Sequence, residues 1–311
     1  MSGTDNKEQM LREEYIELAD KKRKEWAQSD AVRDVGITEP EGVRKITDIS
    51  YAESENANEK KWHLMDIYYP EEEQKNSHPV IVSVHGGGWF YGDKELYKPY
   101  TMTLAACGFA VVNFNYRLSP ENQYPAGFMD VCSLMDYLSR HAEEYSLNLD
   151  SVYMVGDSAG AQLASQYCIY ATNQSYQDLF PFSEHLQKVV PKKIALNCGV
   201  YDLGALLGED EMCDWYLPYY MEKNTAISFF KVLEFMTTDF PPTYLMLSVN
   251  DALAKNTEPI KNRLEKLGIP LVYREFGQDE KSDGHVFHLN LRSKNGQAVN
   301  REEIEFFGGN V

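Results

Sequence analysis

The chain has 311 residues, 43% of them hydrophobic and 13% aromatic, enough for one large core or two small ones. Acidic residues outnumber basic ones 48 to 30; the net charge of −18 disfavours nucleic acid and anionic membrane surfaces as partners. Five cysteines (Cys107, Cys132, Cys168, Cys198 and Cys213) form no C-x-x-C pair and leave an odd one, which predicts reduced core thiols in a cytoplasmic protein rather than a disulfide framework.

The first residues lack the apolar stretch of a secretory signal, and no run approaches the roughly 18 apolar residues that span a bilayer. Residues 9–28 read as an amphipathic helix, with Leu11, Tyr15, Leu18, Ala19 and Trp26 on or near one face. Strand-like runs follow at 43–51, 62–69, 80–84, 109–115, 152–155, 193–197, 244–249 and 271–276. The first two lie close together, which suits antiparallel pairing. From the third onward, helix-like segments intervene at 95–107, 126–142, 159–172 and 257–267, which predicts βαβ units and a mostly parallel sheet. Continuously apolar runs such as Ala110-Val111-Val112 predict helices over both faces.

One stretch breaks the alternation. Residues 203–240 are too long for a single crossover helix, and they hold Trp215, Tyr216, Tyr219, Tyr220, Phe229, Phe230, Phe235 and Phe240. Such an insertion reads as a lid or binding segment, or as aromatics that pack it onto the body. Both readings stay open, residue by residue.

Two motifs carry chemistry. Gly156-Asp157-Ser158-Ala159-Gly160 is a G-x-S-x-G pentapeptide, a pattern that chance produces in about one 300-residue chain in ten. Its context raises its weight: a strand-like run at 151–155 precedes it, and a helical run at 159–167 follows. A serine nucleophile on a sharp strand-to-helix turn needs that context. His85-Gly86-Gly87-Gly88-Trp89 closes the apolar run 79–84. A glycine loop there presents backbone N–H groups to the negative charge that forms when the serine attacks a carbonyl. Together the motifs predict acyl transfer.

A serine hydroxyl needs a base, and the base needs an acid to orient it and stabilise its cation. Such groups collect at the carboxyl ends of strands. Asp251 follows the run 244–249, and His285 follows 271–276, giving the chain order Ser158, Asp251, His285. Asp202 is the rival acid and His288 the rival base. Asp157 should point away from its neighbour Ser158, and Asp283 reads as a solvated loop residue. His85 reads as a brace for the glycine loop. The expected oxyanion donors are the N–H groups of Gly87, Gly88 and Ala159, with Gly86 the weaker candidate. His63, His78, His141 and His185 read as surface or packing residues. No cluster has metal-ligand spacing and the glycine loop lacks a P-loop's Lys-Ser/Thr, so neither metal nor cofactor is expected.

With Tyr116-Arg117-Leu118-Ser119-Pro120-Glu121 and Tyr124-Pro125-Ala126 added to these motifs, the chain resembles the bacterial hormone-sensitive-lipase-like carboxylesterases over residues 60–290. The resemblance implies an α/β-hydrolase fold, with an eight-stranded, mostly parallel sheet, helices on both faces and a helical cap. Residues 1–311 would form one domain, capped by 1–40 and 203–240. It implies hydrolysis of short acyl esters by Ser158, Asp251 and His285 with no cofactor, and a supporting role for residues 116–121 and Asp130. The segment Cys198-Gly199-Val200-Tyr201-Asp202 departs from the family by lacking a proline-containing pattern, so substrate preference does not carry over. Alternatives with the same triad are an amidase or aryl-formamidase, and an acetyl or cinnamoyl carbohydrate esterase. A ligand-binding pseudo-hydrolase is the alternative from another class. The expected partner is a small-molecule ester, with no nucleic acid and no membrane; a homodimer is left open.

Overall fold

Alternating apolar residues along the central strands face two separate cores. In β3 (His78–Val84), Val80, Val82 and Val84 enter one core and Ile81 the other. In β4 (Ala110–Phe114), Val112 and Val111 divide in the same way. A sheet buried on both faces must be covered by helices on both. The computed structural model describes residues 3–53, 59–71, 77–180, 182, 184–201, 203, 211–216 and 231–309. Among them lies one eight-stranded sheet, completed by β1 (Val43–Ser50), β2 (Leu64–Pro70), β5 (Leu147–Asp157), β6 (Lys193–Asn197), β7 (Thr243–Ser248) and β8 (Leu271–Phe276). Its order is β1-β2-β4-β3-β5-β6-β7-β8, with β1–β2 and β2–β4 antiparallel and the other pairs parallel. The α/β-hydrolase fold expected from the motifs is the fold observed.

The helices, in chain order, are α1 (Gly3–Arg33), α2 (Lys94–Ala105), α3 (Ala126–His141), α4 (Ala159–Thr172), the short α5 (Gln174–Gln177), α6 (Glu211–Tyr216), α7 (Glu258–Leu267) and α8 (Lys294–Phe307). Phe128 of α3 and Leu163 of α4 fill one core; Tyr97 and Leu104 of α2 and Val299 and Ile304 of α8 fill the other. α1 overruns the expected 9–28 at both ends, because its periodic apolar face ends before its charged turns do. It is tied to the body by Arg23, which donates to the carbonyls of Phe90 (2.8 Å) and Ser119 (2.9 Å) and pairs with Glu121. β5 begins at Leu147, earlier than expected, because the polar Asn148 and Asp150 hide its first half. α8 was not foreseen. Ser293 caps it by accepting from Gly296 N, and its buried Val299, Ile304 and Phe307 are too sparse in a polar stretch to mark a helix.

α8 also carries Glu303, which is completely buried. Tyr100 of α2 donates to it at 2.9 Å, and Asn197 at the end of β6 donates to its other oxygen. Burial is the largest influence and pushes this carboxyl from 4.5 up to about 7; the two donors oppose the rise. The folded protein therefore binds this proton more tightly than the unfolded chain, and the stability it contributes is lost as pH climbs from 4.5 through about 7. Glu303→Gln removes the titration. Its melting temperature relative to the parent is expected to rise between about pH 5 and about pH 8 and to level off above that. A difference independent of pH would show that Glu303 does not titrate there.

Candidate active site

Five parallel-strand ends and their loops build the site. β5 ends at Asp157, and Ser158 turns the chain into α4 with φ 51° and ψ −120°. A non-glycine residue rarely adopts this region, and such strain persists only where neighbours impose it. Here the Ser158 N–H donates to the Asn197 carbonyl on β6 at 2.9 Å. Gly160 lets α4 approach β3 so closely that a Cβ there would collide with the carbonyls of Val84 and His85.

Asp251 lies beyond β7. Its side chain is buried and accepts from the Leu253 N–H at 2.8 Å, while its own N–H donates to the Ser248 carbonyl at 3.1 Å. His285 lies in the loop after β8, which is fastened to the Asp251 loop. Asn250 Nδ2 donates to the Gly277 carbonyl at 2.8 Å, and Ser248 Oγ donates to the carbonyl of Asp283. The result is a continuous chain: Asp251 Oδ2 to His285 Nδ1 at 2.7 Å, and His285 Nε2 to Ser158 Oγ at 2.9 Å. The carboxylate fixes the proton on Nδ1 and leaves Nε2 as the lone pair facing the serine hydroxyl.

The rivals sit elsewhere. His288 is wholly buried in the short 3-10 turn Phe287–Leu289, edge-on to Tyr100, and its ring nitrogens have no hydrogen-bond partner among the described residues. Burial, then Arg33 and His285, lower it to about 3, so it stays neutral. Asp157 points away from Ser158 and accepts from Tyr97 Oη at 2.7 Å. Asp283 is not the solvated residue expected: it is 2% exposed, and it accepts from Asn295 Nδ2 at 2.5 Å and Ser293 Oγ at 3.3 Å. A polar loop in sequence is here folded under the start of α8. Asp202 lies outside the described residues.

The glycine loop is braced as its histidine suggested. His85 is fully buried and stacks on Tyr116 at 4.1 Å; its Nδ1 donates to the Gly86 carbonyl at 2.7 Å, and Tyr116 Oη donates to the His85 carbonyl at 2.8 Å. Burial lowers His85 to about 4, so it is neutral. Gly87, at φ 111°, faces the Tyr91 carbonyl so closely that no side chain fits. The Gly86 N–H is already engaged by Tyr97 Oη at 2.9 Å. Asp130 holds Arg117 at 2.7 Å, under the same loops.

A cavity of about 210 Å3 opens over Ser158, His285 and Gly87. α1 forms much of its wall through Trp26, Ser29, Asp30 and Arg33, and Tyr91 joins it by donating to Asp30 at 2.8 Å. Sequence reasoning had not singled out the last three of those α1 residues; they continue Trp26's face at i+3, i+4 and i+7, but as polar side chains beyond residue 28 they carried no apolar signal. Trp215 packs on Phe90, and Tyr216 stacks on Trp89 at 4.8 Å, so these two insertion aromatics hold the body together. Phe235 packs on Tyr176, and Phe240 is in the core. Tyr219, Tyr220, Phe229 and Phe230 lie outside the described residues.

Among the described residues one group has metal-ligand proximity: donor atoms of Cys198, Asp251 and His285 lie within 4.8 Å of one another. Two of the three are already joined to each other. Burial pushes the Cys198 thiol far up, which keeps it protonated and a weak donor. The set fits a proton-transfer chain better than a metal.

The BD-FAE family model matches residues 65–259. An esterase of Gibberella moniliformis is 28% identical over 202 residues, covering 61% of this chain and 62% of its own. An acetyl esterase of Salmonella schwarzengrund is 37% identical over 99 residues, 32% of this chain and 30% of its own. The chain thus spans less than two thirds of the length of these curated relatives. A structure of esterase B from Lactobacillus rhamnosis, inhibited by a C4-C4 SN3 tributyrin phosphonate, superposes with TM-score 0.80 at 24% identity, covering 95% of each chain. A match across 65–259 takes in the glycine loop, the serine turn and Asp251, and the chain belongs to the BD-FAE family.

Proposed function

We propose that the protein is a serine carboxylesterase acting on short-chain acyl esters. One observation carries the reading: the Asp251–His285–Ser158 chain, at 2.7 and 2.9 Å, beneath a glycine loop and beside a small cavity. Ser158 Oγ attacks the ester carbonyl while His285 Nε2 takes its proton. The N–H groups of Gly87, Gly88 and Ala159 receive the oxyanion, worth about 3–4 kcal/mol per donor in related chemistry. His285 then protonates the leaving alcohol, and Asp251 stabilises the imidazolium meanwhile. Water deprotonated by His285 releases the acid.

The curated esterase relatives and the phosphonate-inhibited neighbour support ester over amide substrates. The 210 Å3 cavity supports a short acyl limit, with α1 as the capping wall. No described helix is long and apolar enough to cross a membrane, and no disulfide joins any of the five cysteines, which supports a reducing, cytoplasmic setting.

Ser158→Ala is expected to lower turnover on the order of a million-fold. His285→Ala should match it. His288→Ala removes a packed ring with no hydrogen-bond partner, so turnover per folded molecule should stay within about threefold of the parent, the cost falling on stability. Activity surviving in His285→Ala and lost in folded His288→Ala would reverse the base assignment.

The acyl limit is tested with esters from acetyl to dodecanoyl. The specificity constant should rise by about 0.8 kcal/mol per buried methylene until the cavity is full, then fall. A steady rise to twelve carbons would mean an open groove. Formanilides and acetylated sugars in the same panel test the amidase and carbohydrate-esterase alternatives.

A further inference from the structure

Tyr97 is a buried α2 tyrosine that the esterase scheme leaves without a task. Its hydroxyl makes two hydrogen bonds in the wall of the cavity. It donates to Asp157 Oδ2 at 2.7 Å and accepts the Gly86 N–H at 2.9 Å. Asp157 immediately precedes the serine; Gly86 immediately precedes the expected oxyanion donors. One oxygen atom therefore ties the serine turn to the glycine loop. The fit is tight: a Cβ on Gly86 would strike the Asp157 carboxylate and lie 3.0 Å from Tyr97 Oη.

The tie is maintained against a cost. Asp157 is 3% exposed, and burial, the largest influence, pushes its carboxyl up to about 6. The Tyr97 hydroxyl is the main group opposing that rise, followed by His285, Arg33 and the Gly86 N–H. A glycine loop is conformationally permissive, so its own backbone does not fix its distance from Ser158. Oxyanion donors work only within about 2.7–3.1 Å of where the charge develops, and a 1 Å misplacement costs about a hundredfold.

We propose that Tyr97 is a positioning residue: its hydroxyl sets the distance between the glycine loop and Ser158 by clamping Gly86 to Asp157. The inference rests on the esterase reading above. A group that positions transition-state donors is felt in kcat and hardly in KM. A group that only supports the fold lowers stability and the fraction of active molecules instead.

The test compares the parent, Tyr97→Phe, Asp157→Ala and their double variant on one aryl butyrate. Active sites are counted by reaction of Ser158 with an alkyl phosphonate. Affinity for a trifluoromethyl ketone reports how well the oxyanion is held. Tyr97→Phe keeps the ring and is expected to lose about 10–100-fold in kcat per active site, with KM within about twofold and ketone affinity falling in step with kcat. Asp157→Ala should give a similar loss, and the double variant little more, since both break one clamp. Asp157→Asn, which keeps an acceptor for the hydroxyl, should restore kcat to within about fivefold of the parent and serves if the alanine variant does not fold. The proposal is overturned if Tyr97→Phe keeps kcat and ketone affinity within about twofold, if its loss lies in the count of active sites or in KM, or if the two losses multiply. Failure of the esterase reading is separate: Ser158→Ala would retain activity whatever Tyr97 does.

Discussion

Ser158 holds a backbone conformation that side-chain-bearing residues avoid, and the site depends on the neighbours that enforce it. Its N–H is committed to β6 through the Asn197 carbonyl, and α4 is drawn against β3 at Gly160. Both supports come from the interior of a sheet buried on two faces. The strain is thus sustained by packing across the central strands rather than by the turn itself. The consequence is a Ser158 hydroxyl held at the carboxyl end of β5, at the level where the loops after β7 and β8 deliver Asp251 and His285.

Around that turn, the polar groups divide into the proposed reacting set and a supporting set. Asp251 and His285 are joined to each other and to Ser158. Behind them lie Asp157, Glu303, His85 and His288, all buried, with carboxyls shifted up and imidazoles shifted down by desolvation. The same physical cause moves acids and bases toward neutrality: the two imidazoles are neutral at pH 7, whereas the carboxyls lose their charge only as pH falls through about 7 for Glu303 and about 6 for Asp157.

Much of this was legible in the sequence because the evidence for it is local. Each of the eight strand-like runs overlaps an observed strand, since apolar β-branched runs between turn residues survive as strands in a two-sided sheet. Ser158 was placed by its pentapeptide between a strand-like and a helical run, and Asp251 and His285 by their positions after strands. What stayed hidden is non-local or disguised by polarity. α8 has its buried residues at helical spacing, but Gly296, Asn300 and Glu303 occupy half of those positions and dilute the apolar signal, and Glu303 reads as a surface glutamate until Tyr100 and Asn197 enclose it. Asp283 looked solvated for the same reason. The clamp joining Gly86, Tyr97 and Asp157 depends on α2 lying against two loops, and no spacing encodes that. The α1 wall at Ser29, Asp30 and Arg33 follows from the helix's docking through Arg23.

The central claim is that Ser158 is a nucleophile made reactive by His285. Treating the protein with an alkyl phosphonate ester and mapping the adduct by mass spectrometry tests it most directly. The account predicts one adduct per chain, on Ser158, and a labelling rate reduced by at least about a thousandfold in His285→Ala. Labelling at another residue, or equal labelling of Ser158 without His285, would contradict it.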